Sequence, residues 1–273
     1  MNNYHVQFLK IGHIAGMHYT VPGRKTKRIV VYGIGAPLPP DSGKLNDASV
    51  IMGYDTDLYV PDYIGYGRSE GMFTPLNCVK TFLHLYNAFI VGCTGVCNYA
   101  SLKKKLHYDE VHFIGRSFGG AYVTLLPRFN KEITNICGIY PMLNWANIGK
   151  SKGQIEETVE GFFKAMKEDG YQFLYRGILN SSWKKHFTGE DDLNPVDNLK
   201  YLKNAKIFIG HGKKDVSIYY GNSVNYHNKL IKMFPYKKDR HILKLYPFDH
   251  GNKTSNKVVS DYLQYMGVKN FNR

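Results

Sequence analysis

The stretch Val111–Gly120 reads VHFIGRSFGG: a short apolar run that stops on a glycine, then a serine, then two more glycines. A run of this length and character, bounded by glycine, predicts a buried strand. Glycine marks places where the backbone turns sharply or passes close to a neighbour. A serine held at such a corner, with AYVTLL opening a helix behind it, is pushed out of the turn with its hydroxyl exposed. GRSFG at 115–119 also fits the G-x-S-x-G pattern of a strand–turn–helix nucleophile corner. Ser117 is therefore the first candidate, and the chain around it must supply partners.

Outward from that corner, strand-like and helix-like runs alternate. Strands are expected at 5–11, 14–20, 28–33, 57–63, 110–115, 133–143, 205–212 and 241–248, and helices at 45–53, 78–91, 218–233 and 253–265. Such alternation predicts an α/β fold with a mostly parallel central sheet flanked by helices. Residues 146–192 break it. IEETVEGFFKAMKE (155–168) places Ile155, Val159, Phe162, Phe163 and Met166 on one helical side. That segment is expected to be a small helical cap inserted into a core made of 1–145 and 193–273.

An activated serine needs a base within hydrogen-bond reach and an acid that orients the base. GHGKKDVSI places Asp215 in the loop after the next-to-last strand, and YPFDHGN places His250 in the loop after the last one. Sites in open α/β sheets form at the carboxyl ends of strands. Ser117, Asp215 and His250 thus share one sheet edge, in the order Ser…Asp…His. Asp249 is expected to be an exposed neighbour of the histidine, and His211 a packing residue at a strand end.

With these residues in place, the chain resembles an α/β-hydrolase of the serine-hydrolase type. VVYGIG (30–35) is similar to that family's loop after its third strand, VPDYIGYGRSEG (60–71) to its D-x-x-G-x-G-x-S segment, and NPVDNLKYLKNAKIFIGHGKKD (194–215) to its run into the acid loop. The arrangement most resembles the capped esterase, monoglyceride-lipase and serine-aminopeptidase branch. The resemblance implies a Ser117–His250–Asp215 triad, with the backbone N–H groups of Ile34 and Phe118 as an oxyanion hole. It also implies that Asp62 is structural. Tyr32 stands where the family usually has histidine, which changes what supports the oxyanion loop.

The implied activity is cleavage of carboxylic esters (short or medium acyl esters, lactones or monoacylglycerols) through an acyl-enzyme. Phe162, Phe163 and Trp183 of the cap are expected to wall the acyl site. The alternatives are a serine peptidase or aminopeptidase, a thioesterase or acyltransferase, and a non-catalytic binding protein on the same fold. An aminopeptidase would need an acidic pocket, for which GEDD (189–192) is the available cluster.

Composition bounds the rest. The 273 residues are 43% hydrophobic and 21% charged, enough for a sizeable core. The formal charge of +14 is spread over separate clusters, including RKTKR at 24–28 and KKK at 103–105. No basic stripe interleaved with aromatics appears, so a solvated surface without a specific nucleic-acid partner is expected. No apolar stretch is long enough for a membrane span. The amino terminus lacks the basic and apolar pattern of a signal peptide, and a cytoplasmic monomer or homodimer is expected. Cys93 and Cys97 fall four apart on an expected helix, as small buried hydrophobes among four cysteines without zinc spacing. No metal and no cofactor is expected.

Overall fold

The run RIVVYG carries three β-branched residues between an arginine and a glycine, and in the computed structural model it becomes a strand buried on both faces. Residues 4–150, 159–179 and 181–271 are described. In chain order the elements are β1 (His5–Ile11), β2 (Ile14–Thr20), β3 (Arg28–Gly33), α1 (Ala48–Ile51), β4 (Asp57–Pro61), α2 (Pro75–Val91), β5 (Cys93–Cys97) and β6 (Leu102–Leu106). They continue with β7 (Glu110–Arg116), α3 (Phe118–Phe129), β8 (Asn135–Ile139), α4 (Val159–Glu168), α5 (Ser181–Phe187), β9 (Lys206–Gly212), α6 (Tyr220–Met233), β10 (His241–Tyr246) and α7 (Asn252–Tyr265).

The strands form one 10-stranded sheet in the order β10-β9-β8-β7-β3-β4-β2-β1-β5-β6. From β10 to β4 neighbouring strands run parallel, and from β4 to β6 each pairing is antiparallel. Successive side chains of a strand point to opposite faces. On β7, Phe113 meets Phe82 and Tyr86 of α2, while its neighbour His112 accepts or donates a 2.9 Å hydrogen bond with Tyr262 of α7. Helices therefore cover both faces. β3 lies between β4, the next strand in sequence, and β7, so the chain changes winding direction there. The crevice above the carboxyl ends of β3 and β7 is the place where open α/β sheets bind ligands.

Three expectations change. Cys93 and Cys97 lie at the two ends of β5, not on a helix. Four strand residues span roughly 13 Å, so the two thiols are not neighbours. Their CTGVC context has β-branched residues at alternate positions, and α2 has already ended at Gly92. LKKKL, read as surface charge, is β6, the outermost strand; a lysine-rich edge discourages pairing with another chain. The strand expected at 133–143 ends at Ile139, because Tyr140 turns to φ 34° and Pro141 follows without an amide hydrogen.

Between β8 and β9 lie α4 and α5; residues 151–158 of the expected cap segment, with the start of the helix expected at 155–168, lie outside the described residues. The segment after α4 is stitched to the loop following β4. Gly67 N donates to Leu174 O (2.9 Å), Arg176 N to Gly65 O (2.9 Å) and Phe73 N to Arg176 O (2.5 Å). The Arg176 guanidinium donates to the carbonyls of Gly67 and Ser69. No helix among the described residues is long and apolar enough to cross a membrane.

Candidate active site

Ser117, immediately before α3, has φ 54° and ψ −118°, a conformation that L-residues rarely adopt. Its amide donates to Ile139 O (2.9 Å), and its carbonyl accepts from Gly120 N (3.0 Å) and Met142 N (3.3 Å), so the corner is pinned on both sides. Besides Ser101, the non-glycine residues with positive φ among those described are Ser117 and Tyr140. Both stand at the same sheet edge. Strain of this kind costs about 1–3 kcal/mol per residue and clusters where function holds it in place.

Gly119 explains how the corner meets the loop after β3. A Cβ there would lie 2.4 Å from Gly33 O and 2.7 Å from Ile34 O. Only a hydrogen fits, and the amino end of α3 consequently rests directly on the Gly33–Gly35 loop. On the other side of that loop, a Cβ at Gly35 would sit 3.2 Å from Ser117 Cβ. The backbone at 33–35 is thus packed against the serine corner, next to the Ile34 and Phe118 amides that the resemblance expects as oxyanion donors. Gly119→Ala should shift this junction, lowering stability by about 1–3 kcal/mol. Because the same contact positions the Ile34 and Phe118 amides that are expected to receive the oxyanion, kcat should also fall by about 10²–10³-fold. Thermal unfolding and ester turnover on the same variant check both effects; unchanged values would mean that the contact is not needed.

The loop's support differs from that of a histidine. Tyr32 and Ser255 both donate to Oδ2 of Asp47, which is fully buried. Burial pushes the Asp47 carboxyl up, although both hydroxyls and the Arg116 charge oppose the shift. Tyr63 Oη donates to Ile34 O (2.8 Å), fixing that peptide from the other side. Asp62 is buried and held by Arg68 through Nε (2.8 Å) and Nη2 (2.9 Å), with the Arg68 amide adding a third bond (2.8 Å). It builds the turn after β4.

Asp215 and His250 meet because the loops after β9 and β10 interlock. A Cβ at Gly212 would lie 2.4 Å from Phe248 O, Lys213 N donates to Tyr246 O (2.7 Å), and Lys214 N donates to Phe248 O (2.9 Å). His250 Nδ1 then lies 2.7 Å from Asp215 Oδ2. Asp215 Oδ1 accepts from the amides of Ser217 (2.9 Å) and Ile218 (2.8 Å). Burial alone would raise the Asp215 carboxyl. Hydrogen bonds from His211 and His250 outweigh that and hold it well below the usual carboxylate range. The His250 side chain is 21% exposed, while that of Asp215 is sealed. Asp249, by contrast, is exposed.

Tyr140 is a residue that sequence reading missed. Its ring centroid lies 4.0 Å from that of His250, and the Arg116 guanidinium lies over the same ring at 5.4 Å. Ser117 N bonds the carbonyl of Ile139, the residue just before it. Tyr140 therefore ties the serine corner to the face of the imidazole. The signal available was the aromatic–proline pair after a strand, which by itself says only that the strand stops.

The expected acyl-wall residues fare unequally. Trp183 is fully buried: it stacks on Phe73 at 4.7 Å, and its Nε1 donates to Phe73 O (2.9 Å). It backs Phe118 at 6.0 Å and does not line an open cleft. Replacing it by alanine should cost about 3–5 kcal/mol, read as a fall in melting temperature; a change under about 1 kcal/mol would contradict this packing. Phe163 is half-buried and meets Phe187 edge-on at 5.5 Å. The Phe162 side chain lies outside the described residues. In the GEDD segment, Asp191 Oδ2 lies 2.7 Å from His186 Nδ1, and Asp192 pairs with Arg128. No cluster of His, Cys, Asp and Glu able to hold a metal occurs among the described residues.

No family model matches the sequence, and no curated protein does. Solved structures do match in shape. The fold is that of the α/β-hydrolases. The esterase Pf2001 of Pyrococcus furiosus aligns with a TM-score of 0.58 at 13% identity, over 96% of this chain and 91% of its own. Est1E of Butyrivibrio proteoclasticus aligns with a TM-score of 0.57 at 12% identity, over 96% of this chain and 99% of its own. Est1E has also been solved with ferulic acid bound.

Proposed function

We propose that the protein is a serine hydrolase of carboxylic esters, with Ser117 as nucleophile, His250 as general base and acid, and Asp215 as the acid that orients it. The observation that carries this reading is a strained serine at a strand–helix corner on the same sheet edge as a hydrogen-bonded Asp215–His250 pair. Structural neighbours that are esterases support it.

In the first step His250 Nε2 takes the Ser117 proton as Oγ attacks the ester carbonyl. The Ile34 and Phe118 amides receive the oxyanion. Collapse of the tetrahedral intermediate expels the alcohol, protonated by His250, and leaves an acyl-enzyme. Water, activated by the same imidazole, then releases the acid. Asp215, ionised throughout, keeps Nδ1–H of His250 in place and stabilises the imidazolium. The mechanism calls for no cofactor.

Ester preference over aminopeptidase activity rests on the GEDD carboxylates: Asp191 and Asp192 already pair with His186 and Arg128. We take Phe163, half-buried at the edge of the aromatic cluster, as the residue that limits acyl length, with Phe162 beside it in sequence and Trp183 behind Phe118. The test is a panel of p-nitrophenyl esters of increasing chain length, lactones and aminoacyl anilides, run on wild type and Ser117→Ala. Turnover of esters that vanishes with Ser117 supports the reading. Turnover of the anilides alone, or hydrolysis unaffected by Ser117→Ala, would contradict it.

A further inference from the structure

The orienting carboxylate carries a second imidazole. His211, at the end of β9 and fully buried, places Nε2 at 3.2 Å from Asp215 Oδ2, the same oxygen that binds His250. Nε2 of His211 also lies 3.0 Å from Ile218 O, which can only accept, so this nitrogen bears the hydrogen. At the ring's other end, Nδ1 lies 2.8 Å from Ser223 Oγ on α6. With Nε2 protonated, the neutral ring accepts there from the Ser223 hydroxyl. Every polar atom of the imidazole is satisfied in one tautomer.

The sequence reading of His211 as a strand-end packing residue therefore misses half of its surroundings. A side chain needed only to fill space would not require a buried serine on another helix to anchor its ring. Asp215 Oδ1 is fully occupied by the Ser217 and Ile218 amides. The only freedom left to the carboxylate is at Oδ2, and there His211 Nε2–H opposes any swing away from His250.

We propose that His211 is a positioning residue: with its Nε2 hydrogen fixed by Ile218 O and its ring anchored at Nδ1 by Ser223, it holds Asp215 Oδ2 on the His250 Nδ1–H. The chain of polar contacts thus runs Ser223, His211, Asp215, His250, its middle link the 3.2 Å approach of His211 Nε2 to Asp215 Oδ2. The inference rests on the reading of Ser117, His250 and Asp215 as the reacting unit. Buried polar networks of this kind act together and are separated only by paired changes. Loss of an outer partner that orients a first-layer group typically costs 10–100-fold in comparable metal sites. Removing His211 should have an effect of that size on kcat with little change in KM, since His211 does not touch substrate.

The experiment compares wild type, His211→Leu, His211→Gln and Ser223→Ala. Each is scored by the rate of Ser117 phosphonylation with a small fluorophosphonate and by the low-field proton resonance of His250 Nδ1–H. Leucine keeps bulk but removes the donor, whereas glutamine can return an N–H to Asp215 and Ile218 O. Expected are about ten- to a hundred-fold slower labelling and a shifted resonance in His211→Leu, with both substantially restored in His211→Gln. Wild-type rates and resonance in the leucine variant would overturn the proposal, as would equal losses in the leucine and glutamine variants with the resonance unmoved. Should His211→Leu fail to fold, Ser223→Ala decides: a shifted resonance supports the relay and an unshifted one overturns it. Absence of labelling at Ser117 in wild type is a different result; it would remove the active-site reading itself and this inference with it.

Discussion

Ser117→Ala is expected to lower ester turnover by about 10⁶-fold, the scale seen when the nucleophile of a comparable unit is removed. Binding of substrate should change little, because the oxyanion amides and the aromatic surroundings remain. Stability gives an independent reading of the same residue. Ser117 is held at φ 54°, where a Cβ is strained and glycine is not. In the middle of a helix or strand, alanine would be the more stable replacement by about 0.5–1 kcal/mol. Here the order should reverse, with Ser117→Gly melting at or above Ser117→Ala. Alanine clearly the more stable of the two would mean that the corner is not strained in solution.

Asp215→Asn is expected to lower kcat by about 10⁴-fold, while Asp249→Asn changes it less than about twofold. The amide leaves the shape intact but offers His250 the wrong hydrogen-bond partner and no charge for the imidazolium. Asp249 is exposed, and its adjacency to His250 in sequence gives it no hold on the ring. Equal modest losses in the two variants, or a larger loss at Asp249, would reverse the assignment. A stability signature accompanies the kinetic one. The folded Asp215 carboxyl titrates below its unfolded value of about 3.9. Asp215 therefore stabilises the fold above that pH and loses this contribution as the pH falls through the folded value. Wild type should exceed Asp215→Asn in stability at pH 7, with the gap narrowing below pH 4. A gap independent of pH would contradict the ionised, hydrogen-bonded carboxylate.

The sheet was readable because its strands are short, β-branched and bounded by glycine or proline, and because each chemistry-bearing loop follows its strand directly. Ser117, Asp215 and His250 each stand within a few residues of a strand's carboxyl end, so topology alone brings them to one edge. What escaped the sequence is what depends on contacts far apart in the chain. β6 was hidden because three lysines alternate with nothing apolar; only its place at the sheet edge makes that pattern sensible. Cys93 looked helical because α2 runs up to Val91, and the break at Gly92 is one residue long. The roles of Tyr140 and His211 were not legible, since their partners His250, Ser223 and Asp215 come from other loops and another helix. Trp183 looked like a pocket wall, yet the carbonyl of Phe73 and a stack of rings bury it completely.

The proposed role of Ser117 as the activated nucleophile can be read chemically. The most direct measurement is reaction of the intact protein with a fluorophosphonate, followed by peptide mapping by mass spectrometry. One adduct per chain is expected, on the peptide bearing Ser117, and none in Ser117→Ala or His250→Ala. An adduct on another serine, or labelling of Ser117 that persists undiminished without His250, would contradict it.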